Sequence, residues 1–153
     1  MLYKEKNIHP AFTPKPDFVF APFGKRRPDE RPLVVVFSRD EDAGFLYRTL
    51  LEKFCRVEAV SRLKDLKKVA GDAPPDLILM DGMLQFEKTL EDIRRLRRAR
   101  AFKEIPLILV SGFASPHFRE RALTVGADEF LVKPLDFDSL ERRVEKTFKL
   151  ASL

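Results

Sequence analysis

The sequence is 153 residues long, with 44% apolar and 35% charged residues and a formal net charge of +5. This length suits one compact domain with a terminal extension, and no apolar stretch reaches the roughly 20 residues of a membrane-spanning helix. The charge is too evenly spread for a dedicated nucleic-acid-binding protein, which concentrates basic residues on one face or arm. The composition therefore excludes a membrane-spanning protein and disfavours nucleic acid as the partner.

Cys55 is the single cysteine of the sequence. An internal disulfide is therefore excluded, and a reducing, cytoplasmic location is expected. Residues 1–6 lack the apolar stretch of a secretory signal. Cys55 follows an apolar helical pattern, so we interpret it as a small buried residue rather than a nucleophile.

Residues 1–31 differ in composition from the rest of the chain. Six of the eleven prolines lie at or before position 32, which disfavours a helix or a central strand. The same segment carries more aromatic surface than a solvated linker normally does, through Phe12, Phe18, Phe20 and Phe23. We predict an extended arm that ends in the charged stretch Lys25–Arg31, with Phe18, Phe20 and Phe23 buried against the domain or a partner.

From residue 32 to residue 150, short apolar runs alternate with amphipathic patterns. The runs are rich in branched apolar residues, as expected for strands covered on both faces; they lie at 33–37, 56–61, 76–81, 106–110 and 130–132. Five strands separated by helices predict an α/β fold with a parallel sheet, right-handed crossovers and helices on both faces. Residues 151–153 are a short tail.

The helices are predicted from the spacing of their apolar residues and from capping residues. The first begins after Asp40 or Asp42, with Leu46, Leu50 and Phe54 facing inward. The second covers 63–69 and ends at Gly71, and the fourth covers 116–125 and ends at Gly126. The inward residues of the third and fifth helices are Phe86, Leu90, Ile93 and Leu96, and Leu140, Val144 and Phe148.

Polar side chains follow four of the predicted strands. Ser38-Arg39-Asp40 follows the first, Asp81 ends the third, Ser111 follows the fourth and Lys133 the fifth. Parallel strands carry their chemistry at their carboxyl ends, so these side chains should converge. A carboxylate can attack phosphorus only where charge on the transferring group is neutralised. Asp81 as the acceptor, supported by the Lys133 ammonium and the Ser111 hydroxyl, is therefore a chemically coherent site.

Two stretches resemble the response-regulator receiver domain over residues 32–150. PDLILMD at 75–81 is similar to the strand that presents the family's acceptor aspartate, and GADEFLVKP at 126–134 follows an RERAL helix. The resemblance implies a doubly wound, flavodoxin-like sheet of five parallel strands in the order 2-1-3-4-5, with five helices. It also implies that Asp81 is the phosphoacceptor and Ser111 the hydroxyl that reports phosphorylation. Phe130 would be the aromatic residue that turns inward with Ser111, and Lys133 the active-site lysine, followed by a cis Lys133–Pro134 bond.

The sequence departs from the family at the expected metal site. The family's first strand normally ends in two or three acids, two of which hold Mg²⁺, whereas these places read Ser38-Arg39 with only Asp40 acidic. Mg²⁺ prefers carboxylate and water oxygens, so Asp40 and Asp81 are the candidate ligands of a weakened site. Arg39 is either a solvated loop charge or a cation that pairs with Asp81 in the metal's place, and we favour the pair.

Other charged groups point less clearly to a function. We interpret the arginine run at positions 94, 95, 97, 98 and 100 as a solvated helix face rather than a nucleic-acid contact. His9 and His117 are too isolated in the sequence to suggest a metal site.

The leading hypothesis is a phosphorelay receiver, not an enzyme, that takes its phosphoryl group from a histidine kinase or phosphotransfer protein. It would signal through protein–protein contacts to an unknown output protein or a second copy. Because no further domain follows Leu153, we expect output through the last strand and last two helices, or through the arm. The alternative is a degenerate receiver that acts as a phosphorylation-independent interaction module. A third hypothesis is a basic nucleic-acid adaptor that uses Lys25–Arg31 and the arginine helix.

Overall fold

The computed structural model describes residues 31–72, 74–82 and 85–151, and strands and helices alternate along them as predicted. The elements are β1 (Leu33–Phe37), α1 (Glu41–Leu51), β2 (Arg56–Val60), α2 (Leu63–Asp72), β3 (Leu77–Asp81), α3 (Phe86–Arg98), β4 (Leu107–Ser111), α4 (Pro116–Val125), β5 (Glu129–Val132) and α5 (Phe137–Ala151). None of these helices is long and apolar enough to cross a membrane. The predicted arm, with Phe18, Phe20 and Phe23, lies outside the described residues.

The five strands form one parallel sheet in the order β2-β1-β3-β4-β5, which confirms the predicted topology. In the register of the sheet, Phe37 pairs with Met80, Asp81 with Val110, and Ser111 with Val132. The carboxyl ends of β1, β3, β4 and β5 therefore lie side by side at one edge.

Two apolar layers cover the two faces of the sheet, as expected for strands that are buried on both sides. Alternate residues of each strand point to opposite layers because the side-chain period of a strand is two. Helices α2, α3 and α4 supply one layer, through Leu66, Phe86, Leu90, Ile93, Leu96 and Ala122. Helices α1 and α5 supply the other, through Tyr47, Leu51, Leu140 and Val144.

The predicted inward face of α1 is wrong. The structure buries Gly44, Tyr47 and Leu51, whereas Leu46 is 45% exposed and Phe45 69% exposed. The predicted residues (Leu46, Leu50 and Phe54) and the buried residues both recur at helical spacing. Periodicity alone could therefore not choose between two helix faces about 100° apart. Gly44 packs close to the sheet, since a Cβ atom at this position would lie 3.8 Å from that of Ala59.

Cys55 is buried, as predicted, and its thiol donates a hydrogen bond to the carbonyl of Leu51 at 3.2 Å. Burial raises the pKa of the Cys55 thiol to about 12. The reactive thiolate is therefore disfavoured, which supports a packing role.

Arg97 holds together the connections around the end of α3. Its guanidinium donates to the carbonyls of Phe102, Ile105 and Gly126 at 2.8, 2.7 and 2.9 Å, and it pairs with Asp128 at 2.8 Å. Gly126 has a φ of +130°, and a Cβ atom there would lie 2.5 Å from Arg97 Cγ. The other arginines of the run, at positions 94, 95, 98 and 100, are exposed. The run is therefore a solvated face in which Arg97 has a structural role.

A second buried contact joins the loop after β1 to α3. Arg39 lies 2.8 Å from the carboxylate of Asp92, whose side chain is only 5% exposed, in an ion pair that lacks the angles of a hydrogen bond. The Arg39 guanidinium also lies over the ring of Phe37, 5.2 Å from its centroid. The positive charge of Arg39 thereby compensates the negative charge of Asp92 on the buried face of α3.

We expect Arg97→Leu to lower the free energy of unfolding by roughly 2–3 kcal/mol, because several partly buried carbonyls and Asp128 lose their donor. The measurement is urea denaturation followed by circular dichroism. Arg98→Leu, an exposed position one residue away, is the matched control and should change stability by less than about 0.5 kcal/mol. Equal effects of the two substitutions would contradict the assigned role.

We expect Arg39→Leu to lower the free energy of unfolding by about 2 kcal/mol, because it leaves the buried Asp92 carboxylate without its cation. Combining Arg39→Leu with Asp92→Leu should recover most of the loss, since no unpaired charge then remains. Arg48→Leu removes an exposed arginine of α1 and serves as the control. A double variant less stable than Arg39→Leu alone would argue against this ion pair.

Candidate functional site

Asp81 lies at the carboxyl end of β3, and its carboxylate is buried among the neighbouring strand ends. Lys133, in the segment after β5, donates from its ammonium to Oδ1 of Asp81 at 2.8 Å. The Lys133–Pro134 bond is cis, as the resemblance implied. The structure thus brings together the predicted acceptor and the predicted lysine.

Tyr47 is a site residue that the sequence analysis missed. Its hydroxyl reaches from the buried face of α1 and donates to Oδ2 of Asp81 at 2.9 Å. Burial, together with the Asp81 charge and the hydrogen bond, raises the pKa of Tyr47. Tyr47 therefore remains a neutral donor at ordinary pH. The feature of the sequence that could have indicated Tyr47 is its helical spacing from Gly44 and Leu51, three residues after one and four before the other.

Ser111 lies at the end of β4, the strand next to Asp81, and Phe130 lies on β5, one strand further away. The Ser111 hydroxyl is buried and accepts a hydrogen bond from the Phe113 backbone N–H at 3.1 Å. The Phe130 ring is buried in the layer of α2, α3 and α4, with the Arg119 guanidinium 5.8 Å from its centroid.

Ser38, Arg39 and Asp40, which follow β1, make contacts other than those predicted around Asp81. The predicted Arg39–Asp81 pair is wrong, because Arg39 binds Asp92 instead. Asp40 Oδ1 accepts from the backbone N–H groups of Asp42 and Ala43 at 3.0 and 3.4 Å, so Asp40 caps α1. The Ser38 hydroxyl in turn accepts from the Asp40 N–H at 3.2 Å.

These side chains are a poor match to the Mg²⁺ ion that the resemblance implies. A magnesium site needs several oxygen ligands, commonly with more than one carboxylate. Each oxygen of Asp81 already accepts from Tyr47 or Lys133, and Asp40 serves as a helix cap. Over the residues that the structure describes, no group of three His, Cys, Asp or Glu side chains could hold a metal. The Asp40–Asp81 ligand set expected from the sequence is therefore not assembled.

The start of α3 is held by contacts of Thr89 and Phe86. The Thr89 hydroxyl donates to the carbonyls of Gln85 and Gly82 at 2.8 and 3.2 Å. Phe86 stacks edge-on against Phe118 with ring centroids 4.6 Å apart, and against Phe113 at 5.6 Å. These contacts link the start of α3 to the loop after Ser111.

The arrangement offers a carboxylate nucleophile with one fixed positive charge beside it. Lys133 can neutralise an incoming anionic group, because its side chain is 35% exposed and its ammonium is already at the carboxylate. Tyr47 adds a hydrogen bond but no charge. The chemistry that fits is nucleophilic attack by Asp81 on a group that carries negative charge.

Comparison with known proteins identifies the family. Residues 34–145 match the family model described as the response regulator receiver domain. The chain is 29% identical over 121 residues to the phosphate regulon transcriptional regulatory protein PhoB of Rhizobium meliloti, an alignment that spans 78% of this chain and 53% of that protein. It is 31% identical over 78 residues to the Escherichia coli PhoB, which spans 51% and 34%. The chain thus covers about half or less of these relatives.

Solved structures share the fold. A response regulator from Thermotoga maritima superimposes with a TM-score of 0.69 at 22% identity, covering 78% of this chain and 98% of that one. The chemotaxis response regulator CheY4 of Vibrio cholerae gives a TM-score of 0.67 at 19% identity, covering 76% and 98%. With the matched family model, these findings show that the chain belongs to the response-regulator receiver domains of two-component signalling systems.

Proposed function

We propose that Asp81 accepts a phosphoryl group and that its phosphorylation state sets the signalling state of the chain. The observation that carries the proposal is the Lys133 ammonium, 2.8 Å from a buried carboxylate at the carboxyl edge of the sheet. This is where parallel α/β sheets place their chemistry. The family of the chain provides independent support, because receiver domains are signalling modules that use such an aspartate.

In the proposed reaction, one oxygen of Asp81 forms a bond to phosphorus while the bond from phosphorus to the donor's nitrogen or oxygen breaks. The donor leaves with the electron pair of that bond. Lys133 stays with the transferring group and neutralises part of its charge. Ser111, at the end of the adjacent strand, would need to turn its hydroxyl from the Phe113 N–H to reach a phosphoryl oxygen.

Receiver domains typically bind Mg²⁺ in an acidic pocket, and the side chains around Asp81 match that ion poorly. The proposed reaction at Asp81 therefore contains no step on a metal. The proposed donor is a histidine kinase or a phosphotransfer protein, since response regulators interact with histidine kinases and output domains. Signalling through protein–protein contacts, in the cytoplasm, is part of the proposal.

A second candidate function has specific support. The hydrogen bond from Tyr47 to Asp81 favours a receiver that acts as an interaction module without phosphorylation, because it stabilises the unmodified carboxylate. In that case Asp81, Lys133 and Tyr47 would be a structural cluster that fixes one conformation.

We expect incubation with acetyl phosphate to phosphorylate Asp81, detected by intact-mass spectrometry and by tandem spectrometry after borohydride reduction of the acyl phosphate. Asp81→Asn should abolish the product, and Lys133→Met should slow its formation at least about tenfold because the neutralising charge is lost. Parallel reactions with MgCl₂ and with EDTA test the metal. No incorporation under either condition would contradict the phosphoacceptor role and favour the interaction module.

A further inference from the structure

The hydroxyl of Tyr47 is a donor that the proposed phosphorylation of Asp81 does not use. It comes from the middle of α1 and crosses an otherwise apolar layer to reach Oδ2 of Asp81. We propose that Tyr47 is a lock on the acceptor: it holds Oδ2 in the resting protein and must leave that oxygen before Asp81 can take a phosphoryl group. This inference rests on the proposed function of Asp81 and adds a positioning residue that regulates it.

Each oxygen of the Asp81 carboxylate already accepts a hydrogen bond. Lys133 occupies Oδ1 and Tyr47 occupies Oδ2, at 2.8 and 2.9 Å. The two donors differ in freedom, because the Lys133 side chain is 35% exposed whereas Tyr47 is 5% exposed. Lys133 can follow an incoming phosphoryl group, but the ring of Tyr47 is packed in the core layer and must be displaced.

Tyr47 and Lys133 differ in charge. A neutral hydroxyl stabilises a resting carboxylate, but it supplies none of the positive charge that phosphoryl transfer requires. An interaction that is stronger in the ground state than in the transition state slows the reaction. Tyr47 therefore favours the unmodified form of Asp81, in contrast to Lys133.

A change in pH within the ordinary range does not release Tyr47 from Asp81. Burial and the neighbouring Asp81 charge both oppose ionisation of the phenol, so the donor persists at ordinary pH. Release must come from movement of the ring or of α1. A kinase or phosphotransfer protein that contacts α1 could promote that movement, whereas a small phosphodonor reacts only when the movement occurs spontaneously.

The test compares acetyl phosphate labelling of Asp81 in the native chain and in Tyr47→Phe, which keeps the ring and removes only the hydroxyl. We expect Tyr47→Phe to be labelled about tenfold faster, the factor expected for one hydrogen bond to a charged group. Tyr3→Phe makes the same chemical change at the other tyrosine of the chain and should leave the rate unchanged.

A second measurement reports on Tyr47 directly. The chain has two tyrosines and no tryptophan, so in Tyr3→Phe the tyrosine emission comes from Tyr47 alone. A hydrogen bond to a carboxylate quenches tyrosine fluorescence. We expect Asp81→Ala in this background to raise the emission, and phosphorylation of Asp81 to raise it as well.

Each outcome decides between the two proposals. Faster labelling of Tyr47→Phe supports both, whereas equal labelling of Tyr47→Phe and the native chain overturns the lock and leaves Asp81 as the acceptor. If neither form is labelled, Asp81 is not an acceptor for this donor and the lock on phosphorylation is overturned with it. An emission in Tyr3→Phe that Asp81→Ala does not change overturns the lock whatever the labelling rates are.

Discussion

A carboxylate at the buried end of a β-strand needs compensation, because the apolar interior cannot solvate its charge. The contacts of Asp81 meet this requirement from two directions. Lys133 supplies the opposite charge from the segment after β5, and Tyr47 supplies a hydrogen bond from α1. One carboxylate thus connects three elements that are distant in the sequence. Any chemistry at Asp81 must alter these connections, which links the state of the side chain to the packing of the domain.

The same requirement explains Arg39 and Asp92. An acid on the buried face of α3 needs a cation, and the nearest one is the arginine that stands where the family has an acid at the end of its first strand. The cation that follows β1 thus compensates a buried acid in α3. Arg39 stabilises the region next to the acceptor without contacting the acceptor itself.

Much of the fold was predictable because it depends on patterns that a linear sequence carries. Buried parallel strands appear as continuous apolar runs, and Gly126 marks the end of a helix. The site was predictable as far as it depends on strand ends, which are brought together by the parallel sheet; this applies to Asp81 and Lys133. Tyr47 was missed because two helical faces of α1 are comparably apolar, and the choice between them depends on tertiary packing. The partner of Arg39 was assigned wrongly because the pairing of a loop arginine with an acid of another element depends on tertiary packing that the sequence does not carry.

The arginine run in α3 has a consequence for how charge on this surface can be studied. Four of its members are exposed, but Arg97 donates to four backbone carbonyls and an aspartate in the neighbouring connections. Replacing all five arginines at once would remove the exposed positive charges. It would also remove the hydrogen bonds of Arg97 to the loops around Gly126. A loss of partner binding in such a variant would report on folding as much as on recognition. The exposed positive charge at the end of α3 therefore comes from Arg94, Arg95, Arg98 and, just beyond the helix, Arg100, whereas Arg97 is a structural residue.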